Sequence, residues 1–306
     1  MPYTPSQRQG LWLAAAAAIL FSSKAILAKL TYRYGVDAVT FLTLRMLFSF
    51  PVFATMAVIE TRRAHVRNDR LTWPECGRLI IVGLFGYYMS SFLDFWGLEY
   101  LPVGLERLIL FLTPTLVMLI GSIFLKRHAT KQQWISVFVC YAGMALAFME
   151  SWQSKLPNLG RGGALIFGSA LSYALYMSLS EDLMKRIGSQ RLVPYAMCAS
   201  TVVCVIQFFI LRSPTELLLP WPVYGISILN AIFCTVMPVY MAAIAINRIG
   251  AATTAQMSFL GPIALLILSY IILGEPLTVR KISGTLIMIA GITVLTRMRR
   301  VEKIVS

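Results

Sequence analysis

Charge is scarce in this sequence. Of its 306 residues 13% are charged, where a soluble domain carries about 25%. So few charges cannot cover the surface of a soluble chain this long. An ordinary soluble enzyme, a disordered tail protein and a nucleic-acid-binding domain are excluded. Histidine is nearly absent, and the two present, His65 and His128, stand in basic loops. Cys76, Cys140, Cys198, Cys204 and Cys234 fall in or beside apolar runs without metal-ligand spacing. They read as small buried hydrophobes. No Walker A, HExxH or GxSxG stretch occurs, so neither ATP hydrolysis nor hydrolase chemistry has a visible centre. No metal and no cofactor is expected.

What the chain has is apolar length. Hydrophobic residues make up 58% of it, gathered in runs of about 20 residues that suit a lipid solvent. Ten segments can hold a membrane helix, near 10–30, 38–60, 75–98, 103–125, 131–150, 160–182, 191–211, 221–245, 250–273 and 278–297. The short loops between them leave no room for a soluble domain. The reading is a single transmembrane domain over residues 1–306, all-α and polytopic, because lipid satisfies no free backbone group. Strict alternation, the mark of a β-barrel, is missing. The first span, Leu11–Phe21, has the length of a signal-peptide core, but Ser22, Ser23 and Lys24 interrupt it and apolar residues resume to Leu30. It reads as a retained span.

The net charge of +14 comes from Lys and Arg set between the apolar runs. With a cytoplasmic N-terminus, sixteen of the loop cations fall inside and six outside. That bias places both termini in the cytoplasm, in a plasma or inner membrane.

The chain also repeats itself. Shifted by 148 residues, 101–147 lies on 249–295 without a gap. Phe111-Leu112 meets Phe259-Leu260, Pro114 meets Pro262, Thr130 meets Thr278, and Ala142-Gly143 meets Ala290-Gly291. The halves read as five helices each, about 8–150 and 160–297. Five is odd, so the second copy enters from the opposite side. Two inverted five-helix repeats around a central cavity are an arrangement typical of secondary transporters.

Gly261-Pro262, Leu273-Gly274-Glu275-Pro276-Leu277-Thr278, Gly284 and Gly291 resemble the signature end of an EamA-type drug/metabolite transporter. Gly86, Phe92 and the run Phe95-Trp96-Gly97-Leu98-Glu99-Tyr100-Leu101-Pro102 are similar to that family's third span and the turn after it. Arg45 matches its recurrent second-span arginine. The first repeat departs from the pattern, with Lys126-Arg127-His128 where the second has Gly-Glu-Pro. The resemblance covers nearly the whole chain, most like bacterial amino-acid exporters of the YddG type. It implies ten helices, cytoplasmic termini, a central substrate cavity, peripheral spans five and ten, and export of amino acids or related metabolites. Another substrate class, nucleotide-linked or drug-like, is the alternative, and a channel or an intramembrane enzyme stands further off.

Ionisable groups at membrane depth each need a reason. Lys24 lies roughly 21 Å from the cytoplasmic end of its helix. Arg45 lies at similar depth in the second span, and Asp94, Glu106 and Arg107 lie near the outer boundary. A zwitterion needs a cation for its carboxylate, from Lys24 or Arg45, and an acceptor for its ammonium, from Asp94 or Glu106. The same residues suit pairing with one another, fixing helix register. Lys24 is assigned to the substrate, Arg45 and Glu106 to structure or gating. Tyr87, Ser91 and Asp94 share one helical face, as do Ser169, Tyr173, Tyr176 and Ser180. Tyr240 and Gln256 are polar positions in apolar surroundings. Tyr87, Ser91, Asp94, Tyr173, Tyr176, Tyr240 and Gln256 complete the expected substrate wall. Pro114 and Pro262, at matched mid-helix places, are the expected hinges. Ser136 and Gly143, like Gly284 and Gly291, are small residues seven apart. They suit close packing of spans five and ten, within the chain or across a homodimer.

Overall fold

A computed structural model describes residues 4–66, 69, 71–126, 129–148, 158–261, 263–264 and 278–305. Every regular element among them is helical. In chain order they are α1 (Pro5–Tyr32), α2 (Ala38–Val66), α3 (Trp73–Tyr100), α4 (Leu105–Phe124), α5 (Lys131–Phe148), α6 (Leu159–Ile187), α7 (Ser189–Leu211), α8 (Trp221–Ile249), α9 (Ala251–Met257) and α10 (Val279–Val305). Seven of these, α1–α4 and α6–α8, are long and apolar enough to cross a membrane. The other three expected spans correspond to α5, to α9 with the undescribed residues after it, and to α10, whose apolar stretch is Ile282–Thr293. Large apolar side chains such as Phe124, Phe138 and Ile210 face outward, as lipid requires and water would not.

Local chemistry sets the ends. Thr4 and Gln7 close a capping box ahead of Pro5, satisfying donors the first turn leaves free. Thr72 and Glu75 do the same ahead of Trp73-Pro74. Single glycines with φ near +80° divide α6 from α7 (Gly188) and α8 from α9 (Gly250). A side chain at either would be strained.

The helices pack in pairs that repeat at the 148-residue shift. α3 lies on α6 as α8 lies on α1. The pair α5·α10 sits on the relation itself. Ser136 donates to the Gly291 carbonyl at 2.8 Å, and Cys140 meets Met288, its own counterpart. A Cβ on Gly143 would fall 2.6 Å from the Gly284 carbonyl oxygen. Contacts 136·291 and 143·284 run in opposite senses, so these helices are antiparallel. The small-residue stripes meet inside the chain, letting the backbones approach closely.

α2 and α7 are likewise antiparallel, with Thr43 on Cys204 and Met46 on Thr201. Ion pairs hold both ends. Arg212 grips Asp37 at 2.7 and 3.0 Å, while Arg191 takes the Asp69 carboxylate at 3.0 Å and its carbonyl at 2.8 Å. Burial pushes the Asp37 carboxyl up, but bonds from Thr40 and Arg212 outweigh that and hold it below the usual carboxylate range.

α3 and α8 each contain one wide turn, Leu84–Met89 and Ile232–Val236. Leu84 and Ile232 are 148 residues apart. Such π-turns loosen the helix ladder and concentrate at functional sites. Neighbouring serines donate to carbonyls in and beside the turn of α3: Ser172 to Phe85, Ser200 to Gly83, and Ser169 to Ser90.

Candidate functional site

Between the two π-turns lies a cavity of about 140 Å³. Residues of α1–α4, α6–α8, α9 and the turn after it line the cavity, and among the described residues none of α5 or α10 reaches it. Its wall includes Ser22, Lys24, Arg45, Tyr87, Ser91, Arg107, Tyr173 and Thr254.

One side of it is charged. Lys24 Nζ stands 2.6 Å from Asp94 Oδ2, and Asp94 is fully enclosed. Arg107 Nε lies 3.2 Å from Glu106. The Arg107 guanidinium also donates to the Phe21 and Ser22 carbonyls of α1 at 3.1 and 3.0 Å. Glu106 sits beside Asp94 and within electrostatic reach of Lys24. Phe95 carries two cations on its ring, Arg45 at 5.2 Å and Lys24 at 5.6 Å from the centroid. This joins the charges of α1, α2, α3 and α4 into one cluster, where each is stabilised by its neighbours against the loss of water. Arg45 is 3% exposed, and among the described residues it has no ion pair or hydrogen bond.

The repeat relation crosses the cavity but the chemistry does not follow it. Tyr87 has Thr235 as counterpart, Ser91 has Val239, Arg107 has Ala255, and all six line the wall. Thr254 and Ala242, the counterparts of Glu106 and Asp94, also line the wall. Every charge of the cluster lies in the first half of the chain, and the matching positions of the second half are small, apolar or hydroxylic.

The family model of the EamA-like transporters matches this chain twice, over residues 8–149 and 160–297. The chain belongs to the EamA-like transporter family. It is similar to the uncharacterized transporter YcbK of Bacillus subtilis, with 28% identity over 87% of this chain and 86% of that one. It is also similar to a probable terminal-alkyne amino-acid exporter of Streptantibioticus cattleyicolor, with 22% identity over 72% of each. A crystal structure of a protein with 16% identity superposes at a TM-score of 0.74, covering 95% of this chain and 98% of that one. That likeness shows the fold alone.

Within this EamA-like chain the expected substrate residues separate into three groups. Lys24, Tyr87, Ser91 and Tyr173 line the cavity, with Arg45 beside them. Asp94 and Tyr176 stand one layer behind, Asp94 against Lys24 and Tyr176 with its hydroxyl on that of Tyr87. Gly86 admits the Tyr176 ring where a Cβ would meet it at 2.3 Å. Tyr240 and Gln256 leave the wall. Tyr240 stacks on Phe53 of α2 at 5.7 Å. The Gln256 amide donates to the Gln133 carbonyl at 3.2 Å, tying α9 to α5.

Pro114 is not inside an unbroken helix. α4 breaks at Phe111-Leu112, and Pro114 falls in the first turn of the renewed segment. There its missing N–H removes no helical bond. Pro262 lies outside the described residues. The wall also holds Ser90, Thr113, Thr235 and Ser258, which the sequence did not single out. The 148-residue shift from Tyr87 would have flagged Thr235.

Proposed function

We propose that this membrane transporter is a secondary carrier of amino acids and related small metabolites, working by alternating access. The observation that carries the reading is a cavity at the meeting of the two halves, walled by Lys24, Arg45 and Arg107 with Asp94 and Glu106 paired behind two of them, and wrapped by apolar spans. A solvated binding chamber explains ionisable side chains at that depth, and pairing for packing alone does not explain why Lys24, Arg45 and Arg107 face open space. The repeats pair as ten spans, about 8–150 and 160–297, the second inverted on the first. The two π-turns are the matched places where each half yields. Phe111-Leu112 and Pro114 are the corresponding gate in α4.

The basic bias of the loops supports a multi-pass protein of the inner or plasma membrane with both termini in the cytoplasm. Export is the direction the family resemblance favours. The amino-acid class rests on the cations that a carboxylate would meet at the wall and on likeness to the probable amino-acid exporter.

Proteoliposome counterflow tests the reading. Labelled amino acid should accumulate against a trans excess of the same compound, and an imposed pH gradient shows whether protons take part. Counterflow with drug-like or nucleotide-linked compounds alone would replace the substrate class.

A further inference from the structure

The cluster around Phe95 holds three cations and two carboxylates. Lys24 takes Asp94 and Arg107 takes Glu106. Arg45 is the surplus. Its Nε is enclosed without a hydrogen-bond partner, its guanidinium rests on Phe95, and it lines the cavity. A guanidinium that faces the cavity with no hydrogen bond from the protein is satisfied best by a planar anion, and its fork matches a carboxylate. The rest of the wall sets the other end. Met177, Met197, Val239 and Ala242 form an apolar surface, and no residue of the second half brings a charge to the wall among those described.

We infer that the cavity takes a monocarboxylate with an apolar body, its carboxylate on Arg45. The body lies against the apolar wall. An amino group on the ligand is tolerated and not read, because Asp94 and Glu106 do not line the cavity and stand behind it in ion pairs with Lys24 and Arg107. This rests on the transport reading and narrows it: amino acids enter as one kind of monocarboxylate.

The test uses three labelled probes of one shape, 3-phenylpropionate, phenylalanine and phenethylamine, bound to the purified full chain in detergent. The two acids should bind within about threefold of each other. The amine, lacking the charged hydrogen bond, should bind at least about tenfold more weakly. Arg45→Gln should weaken both acids by at least about tenfold without lowering the melting temperature, since it removes an unpaired buried cation. Arg45→Lys should recover part of the loss. The wild-type series needs no variant to fold. Phenethylamine binding as tightly as the acids overturns the inference, as do acids unaffected by Arg45→Gln, or an equal loss for all three probes with a lowered melting temperature. Phenylalanine counterflow that survives Arg45→Gln overturns the inference and leaves the transport reading standing. Absence of both binding and counterflow in the wild type overturns both.

Discussion

Phe111 and Phe259 stack with ring centroids 5.5 Å apart and planes 17° from parallel. They are 148 residues apart, so each is the other's counterpart, and the stack marks where the repeat relation passes through the molecule. Tyr141 closes the edge of Phe259 and donates to the Phe111 carbonyl at 3.0 Å. Both rings sit where α4 and its partner segment turn. The place where the halves meet is therefore also the place where each helix is discontinuous, directly beside the cavity.

The Lys24–Asp94 pair should behave as a buried unit. Lys24→Gln alone strands an enclosed carboxylate and should lower stability by about 3–5 kcal/mol. Adding Asp94→Asn should restore most of the loss. Thermal melting in detergent checks it. Equal destabilisation by the single and double variants would show that the pair is not coupled.

Gly143→Ala should destabilise by about 1–3 kcal/mol, because the added methyl meets the Gly284 carbonyl and α5 and α10 must part. Gly77→Ala is the control, since nothing lies near its Cβ. Equal melting temperatures for the two would contradict the α5·α10 contact.

The Asp37–Arg212 clamp should weaken in acid. Asp37 is held below its unfolded value, so its contribution is fully present above the unfolded carboxylate pKa of about 3.9 and fades as pH falls through the folded value. Both partners are partly exposed, which limits the contribution to about 0.5–1 kcal/mol. Melting curves of wild type and Asp37→Asn should differ at pH 7, and the gap should begin to close only below about pH 4, as pH falls toward the folded value. A gap that persists or widens in acid would refute the assignment.

Exposed residues at opposite ends of α2 and α7 report orientation. In a cysteine-less background, Arg62→Cys should label only from the cytoplasm and Thr215→Cys only from outside. The basic bias of the loops motivates the expectation. The reverse pattern would invert the proposed topology.

Much of the helix map was legible because apolar length and loop charge are local properties. The depth argument that put Lys24 and Arg45 at one level also succeeded: both meet Phe95. Phe95 itself was invisible, since nothing in an apolar run marks which ring two cations will share. The second half misled for a physical reason. Tyr240 stood out only as a polar position in an apolar run, which does not say which way the side chain faces; its ring stacks on Phe53 of α2. Gln256 pairs with a carbonyl of α5, a partner fixed by helix crossing and not by spacing. Trp73-Pro74 and Trp221-Pro222 stand 148 residues apart and open α3 and α8, extending the repeat back past residue 101.

The central claim is that substrate passes through the cavity between the halves. Counterflow of labelled phenylalanine into proteoliposomes, with wild type and with Ala242→Trp, tests it most directly. Ala242 lines the wall opposite in sequence register to Asp94, and an indole there fills the chamber. The account predicts counterflow with wild type and none with Ala242→Trp at an unchanged melting temperature. Equal counterflow through both proteins would contradict it.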